Sequence, residues 1–291
     1  MAWLTQALTG LLGLWPRELR LAVGRGLGSL AHALGIRRRV ALENLAVAFP
    51  DRPEAERRRI ARLAYQNLGA SLVDFFASRS LTPDAIDRLL VLQRFEVFEA
   101  LLAEGKGVVV AAAHLGSWEL MAAACARRGI PLNLVTRSLA GGVNRELVRA
   151  RGRYGLREIP AHGAIAKGVA ALQRGEVVVN LIDQNMLLKR GIFVDFFGRP
   201  ACTTPATSLM AHRAGSPALV ALAVNEPDGR VRLCIEGPFP LPQTGSWTQD
   251  LHDHTQTLSL AIEGYIRAHP EQWLWLHRRW KTRPPSERAA N

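Results

Sequence analysis

Cysteine is scarce in this chain. Its three cysteines, Cys125, Cys202 and Cys234, are odd in number and widely spaced, which excludes a disulfide framework and a metal knuckle. They are expected to be small core residues in a reducing compartment. Long apolar runs are missing too. The uncharged N-terminal stretch ends at Pro16, short of the roughly 20 residues of a membrane span, and Arg17, Glu18, Arg20 and Arg25 break up the segment after it. No basic segment precedes it, so it does not read as a signal peptide. Repeats and low-complexity linkers are absent, and 48% hydrophobic with 21% charged residues excludes disorder, collagen and coiled coil. Acidic residues are under-represented, 25 against 37 Lys and Arg, for a net charge of +12 and a pI near 10.8. That surplus suits an anionic partner: nucleic acid, a membrane surface or an acidic protein. No helix-turn-helix, RNA-recognition or zinc signature accompanies it, so nucleic acid is not expected. His162, His212, His252, His254, His269 and His277 stand in no zinc-ligand spacing, and no metal is expected.

The basic residues that are present cluster informatively. Trp3 and Trp15 bracket a Leu-rich stretch, with Arg37-Arg38-Arg39 beyond it. Aromatic ends and a basic flank fit a helix lying in a membrane interface, the alternative being a core helical hairpin. Residues 1–50 are therefore read as an N-terminal membrane-associating helical segment, and 51–291 as the main domain.

The main domain alternates in period. Helices are expected over 53–78, 94–103, 117–128, 143–154, 165–174 and 247–268, the last ended by Pro270. Apolar strands are expected at 108–113, 132–136, 156–159 and 176–182. A hairpin over 218–224 and 231–235 turns at Asp228-Gly229. The pattern implies a single α/β domain, a mostly parallel central sheet flanked by helices.

Chemistry concentrates after the first long strand, in Ala113-His114-Leu115-Gly116-Ser117-Trp118-Glu119. The strand delivers His114 to its carboxyl end, where open α/β sheets place ligands. Gly116 lets the chain turn, Ser117 is a plausible N-cap, and Glu119 opens the next helix. Across such a junction a carboxylate can fold back onto the imidazole, fixing its tautomer and raising its basicity, as a general base for a hydroxyl requires. No Ser or Cys stands in a nucleophile elbow, which favours direct transfer over a covalent enzyme intermediate. Asp183 also comes after an apolar strand, from where it can orient His114 or Arg137 from a second direction.

The His114…Glu119 pair resembles the H-x-x-x-x-D/E box of glycerolipid-type acyltransferases. Further segments resemble the lipid A late (lauroyl/myristoyl-type) acyltransferase branch of that superfamily. They are Val135-Thr136-Arg137-Ser138, Asp183-Gln184-Asn185, Phe193-Val194-Asp195-Phe196-Phe197-Gly198 followed by Thr203-Thr204-Pro205-Ala206, and Pro270-Glu271-Gln272-Trp273-Leu274-Trp275-Leu276-His277-Arg278-Arg279-Trp280-Lys281. They stand in the family's order, and the resemblance covers nearly the whole chain.

It implies a membrane-associated O-acyltransferase on the cytoplasmic face of a bacterial inner membrane. A His114–Glu119 pair would deprotonate a hydroxyl of a lipid A precursor for attack on an acyl thioester. The donor would be acyl carrier protein, or alternatively coenzyme A, with no other cofactor. Both an acidic carrier protein and an anionic lipid acceptor suit a basic chain. Arg137 matches the family's Arg after the second box and would bind acceptor phosphate or the thioester oxyanion. Asp183, Gln184, Gly116 and Ser117 complete the expected substrate-binding set. The Phe pair at 196–197 reads as acyl groove or ordinary core, and the Trp-rich terminus as headgroup belt or core. The alternative within the same chemistry is a lysophospholipid or amino-lipid O-acyltransferase.

Overall fold

In the computed structural model the described residues are 12–77, 82–137 and 142–288. Trp3 and Ser138 fall outside them. The chain opens with helices α1 (Arg17–Ala33), α2 (Arg38–Ala48) and α3 (Glu54–Ala77). A first α/β stretch comes after them: α4 (Pro83–Leu89), β1 (Leu90–Gln93), α5 (Phe95–Ala103), β2 (Val108–Ala112), α6 (Trp118–Arg127) and β3 (Leu132–Thr136). Next come α7 (Gly142–Arg153), β4 (Arg157–Pro160), α8 (Ala164–Gln173), β5 (Val177–Leu181), the hairpin β6 (Ile192–Phe196) and β7 (Arg199–Thr203), and α9 (Ala206–Ala214). Strands β8 (Ala218–Asn225) and β9 (Val231–Phe239), then helices α10 (Trp247–Ala268) and α11 (Pro285–Arg288), complete the order.

Seven strands form one sheet in the order β1-β9-β8-β2-β5-β3-β4. Only β8 and β9 pair antiparallel; every other pairing is parallel. The expected mostly parallel sheet and closing hairpin are therefore present. Three elements carried no readable signal: β1 at the sheet edge, the separate β6–β7 hairpin, and α9. All are short, and an apolar run of a few residues does not declare its own period.

The sheet divides the core by alternation. On one face Val108, Val110, Leu132, Leu134 and Val177 pack with Leu120, Met121 and Ala124 of α6, Phe95 and Phe98 of α5, and Tyr154. On the other, Val109 and Val178 meet α8 and Met210 of α9. There Ala111, Ala113, Val220 and Leu222 meet α2, α3, α10 and the C-terminal tryptophans. The boundary read at residue 50 falls inside this core, since Ala41, Leu45 and Ala48 of α2 belong to it.

Helix α1 lies on α3 through glycines. A Cβ on Gly24 would meet Ala70 Cα at 2.5 Å, and one on Gly28 the Tyr65 carbonyl oxygen at 2.0 Å. Arg17 and Arg20 both pair with the buried Asp74, at 2.7 and 3.3 Å, which ties α1 down. Leu19, Leu27, Leu30 and Leu34 of this segment face outward and are exposed. No helix among the described residues is long and apolar enough to cross a membrane.

Candidate active site

Strands β2 and β5 pair in parallel with Ala112 opposite Leu181. Two residues on, the same register places His114 beside Asp183. The His114 amide donates to Asp183 Oδ2 at 2.9 Å, and its ring Nδ1 lies 2.8 Å from Asp183 Oδ1. Trp273 Nε1 donates to Asp183 Oδ2 at 2.8 Å. An ionised Asp183 can only accept, so Nδ1 carries the ring proton and Nε2 is left as the free base. The Gln184 amide donates to that Nε2 at 3.2 Å. Burial alone would raise the Asp183 pKa; the positive charge that His114 carries once protonated, its two hydrogen bonds and the Trp273 N–H outweigh it and hold the carboxyl at about 2.

The carboxylate on His114 is thus Asp183, not Glu119. Glu119 sits in the first turn of α6 and turns toward α7, where Arg151 Nε donates to its Oε2 at 3.0 Å and Arg151 Nη2 to its Oε1. Arg151 also donates to Glu158 Oε1 at 2.8 Å. Register decides this. A residue two positions past β5 lies beside His114, whereas one five positions along its own chain is carried off by a new helix axis. Arg151 and Glu158 carry no signal in the sequence, because their link to Glu119 exists only once α6 and α7 are packed.

The other expected residues fall into two groups. Arg137 and Gln184 line the cavity in front of His114, Arg137 as an exposed residue at the end of β3. Gly116 and Ser117 serve the scaffold. Gly116 has φ +56°, and a Cβ there would meet the Ala223 carbonyl oxygen at 2.3 Å. Ser117 makes no side-chain cap; it is buried with its Oγ 3.0 Å from Ser71 Oγ on α3.

The C-terminal box proves to be the site's backing. Gly116 N donates to Gln272 O at 3.0 Å and Leu274 N to His114 O at 3.1 Å, pairing the His114 turn with residues 272–274. Trp273, Trp275 and Trp280 are all buried, and Phe196 and Phe197 pack against them. Both aromatic groups are therefore core, which resolves the two readings left open for each. Arg279, 1% exposed, donates to Gln184 O, Cys202 O and Thr203 Oγ1 at 3.2, 3.1 and 2.6 Å. It fixes the backbone that presents Gln184.

His114 opens onto a cavity of about 1880 Å³, beyond the roughly 300–1,000 Å³ usual for a single small ligand. One arm is apolar and runs along the α6 face of the sheet past Val110, Leu134, Val179, Leu132 and Val177, roofed by Phe95, Phe98, Met121 and Cys125. The mouth is polar and basic, with Arg37, Arg137, Arg190, Arg278 and Lys281. Burial pushes the Cys125 thiol up to about 12, which removes the one thiol in the arm as a nucleophile. His114 thus stands in a cavity that joins an apolar lining to a cationic mouth.

Residues 1–282 match the family described as bacterial lipid A biosynthesis acyltransferase. The chain belongs to this family. Among its relatives, the lipid A biosynthesis palmitoleoyltransferase of Escherichia coli (strain K12) is 27% identical over 98% of this chain and 93% of its own length. The lauroyltransferase of the same organism is 26% identical over 97% and 92%. The phosphatidylinositol mannoside acyltransferase of Mycobacterium tuberculosis (strain ATCC 25618 / H37Rv) is 25% identical over 65% and 60%. Membership makes the chain an O-acyltransferase.

Proposed function

We propose that the protein transfers a fatty acyl chain from an acyl thioester, most simply acyl carrier protein, to a hydroxyl of a lipid A precursor. The single observation that carries this is the His114 Nε2 base standing where the apolar arm meets the basic mouth. The acceptor hydroxyl takes the place of the Gln184 amide and passes its proton to Nε2. Its oxygen attacks the thioester carbonyl, the C–S bond breaks, and the imidazolium returns the proton to the thiolate. Asp183 stabilises the imidazolium throughout. Glu119 works through Arg151, holding α6 to α7 and bracing that side of the cavity. Arg137, at the rim, takes an acceptor phosphate.

From the His114–Asp183 level the arm descends along β5 to Val177, six residue steps from 183 to 177, roughly 20 Å at about 3.3 Å per residue. Carbon–carbon bonds of about 1.5 Å advance an extended chain about 1.25 Å each, so the arm holds roughly 12 to 16 carbons. The exposed leucines of α1 and the basic mouth support attachment to the cytoplasmic face of the inner membrane.

The test gives the purified protein acyl carrier protein loaded with acyl groups of graded length, a lipid A precursor and, separately, a lysophospholipid, with products read by mass spectrometry. Transfer to the lipid A precursor should peak between about 12 and 16 carbons and vanish in His114→Ala. Asp183→Asn should lose on the order of 10²- to 10⁴-fold in rate and alter the pH dependence. Glu119→Gln should lower the rate without altering that dependence. A pH profile altered by Glu119→Gln and untouched by Asp183→Asn would reverse the assignment. Preference for the lysophospholipid would overturn the acceptor.

A further inference from the structure

Four cations of the cavity mouth, Arg37, Arg190, Arg278 and Lys281, take no part in the proton and acyl transfer described above. All four are exposed, all line the cavity that His114 opens onto, and none forms an ion pair with a described residue. Elsewhere exposed arginines often stand beside carboxylates, as in Arg39–Glu43, Arg128–Asp87 and Arg174–Glu176.

Three remote segments are sewn together to make this cluster. Asn44 of α2 donates to the carbonyls of Trp275 and His277 at 2.7 and 2.6 Å, which brings the N-terminus of α2, and so Arg37, to the C-terminal segment. On the other side Thr282 Oγ1 donates to Met186 O at 2.7 Å, and Thr282 N to Asn185 Oδ1 at 2.9 Å. These bonds fasten residues 185–186, four positions before Arg190, to the residue after Lys281. The Asn185 N–H donates to His277 Nε2 at 3.1 Å and closes the seam. Arg278 and Lys281 therefore belong to the segment to which both the α2 end and the 185–186 turn are tied.

Arg37 adopts φ +54°, a left-handed conformation uncommon for a residue with a side chain and often retained where position serves function. Converging like charges repel, and a site with no carboxylate among them is completed by an anion from outside. Two flanks of the cluster carry exposed apolar residues: Ile36 beside Arg37, and Leu187 with Leu188 ahead of Arg190. Cations with apolar neighbours fit the phosphate of an amphiphile, whose tails continue past it, better than a freely diffusing ion.

We infer that Arg37, Arg190, Arg278 and Lys281 form an anion site for a phosphomonoester of the acceptor glycolipid, holding its headgroup while its hydroxyl reaches His114. The inference rests on the acceptor proposed above and adds a second anionic contact to the one given to Arg137.

The experiment compares kcat/KM for a phosphorylated lipid A precursor and for the same acceptor after phosphatase treatment. The wild-type protein is set against Arg278→Gln/Lys281→Gln and against Arg190→Gln. Discrimination in favour of the phosphorylated acceptor should be tenfold or more in the wild type and should fall by at least tenfold in the double variant, through KM. Raised salt should erode the wild-type preference more than the variant's. Equal use of both acceptors by the wild type would overturn the site and leave the proposed function standing. Transfer to neither acceptor would remove the function and the site together. Binding to anionic vesicles that carry no acceptor is measured in parallel. If the double variant loses vesicle affinity while keeping the acceptor preference, the cations read bulk membrane lipid and the inference fails. Inhibition by millimolar inorganic phosphate that disappears in the double variant would instead identify a site for the free ion, which also overturns it.

Discussion

At the scale of single residues, the site stores its charge in unusual places. His277 lines the cavity and accepts the Asn185 N–H, a role open only to a neutral ring. Burial lowers its pKa to about 4, helped by the charges of His114, Arg37 and Arg279 against the opposing pull of Asp183. Between pH 4 and 6.5 the unfolded chain binds a proton at His277 that the folded chain does not, so stability rises with pH across that window. His277→Gln keeps an acceptor for Asn185 and removes the titration. Its Tm should vary less with pH between 4 and 6.5 than the wild type's, His32 and His254 supplying the slope that remains because burial lowers theirs too. Identical slopes would show that His277 is not buried neutral. Asp183 acts in a lower window: its depressed pKa contributes stability above about 3.8, lost as pH falls through about 2.

Among elements, the α1–α3 contact separates two glycines that the sequence presents alike. Gly26 has nothing within 4 Å of a Cβ position, whereas Gly28 would drive one to 2.0 Å from the Tyr65 carbonyl oxygen. Gly26→Ala should stabilise by roughly 0.5–1 kcal/mol, the ordinary gain of Ala over Gly inside a helix. Gly28→Ala should destabilise by roughly 1–3 kcal/mol, because backbone cannot yield as a side chain can. Denaturant unfolding of the two variants reads the difference, and the same sign for both would refute the close approach. The contact also bears on attachment, since it turns the leucines of α1 outward.

For the whole molecule, the attachment proposed above rests on the exposed leucines at α1 and the basic mouth of the cavity that holds His114. Leu27 and Leu30 of α1 and Leu34 just past its end, 54, 55 and 69% exposed, recur at helical spacing. Replacing all three by Gln should leave thermal unfolding close to wild type and weaken sedimentation with anionic vesicles about tenfold or more. High salt should weaken wild-type binding only in part, because apolar burial is not screened. A triple variant that sediments like wild type would remove α1 from the membrane contact.

Much of this was legible from residue order. Period and punctuation placed α3, α6, α10, β2, β3 and β5 within a residue or two, because each is long enough or apolar enough to declare its period. His114 was legible because a buried strand must end where its ligand-facing residue begins. The partner of His114 was not decided by the sequence. Glu119 and Asp183 were both carboxylates at strand or helix ends, and only the parallel register of β2 on β5 put Asp183 at 2.8 Å and sent Glu119 to Arg151. The tertiary structure likewise decided that Trp273 is a buried donor to Asp183 rather than a surface anchor. It also gathered Arg37, Arg190, Arg278 and Lys281 from three segments around one mouth. Local residue order determines periodicity and chain direction. Which side chains meet depends on strand order, and strand order is set by contacts between residues too far apart in the chain for any local pattern to record.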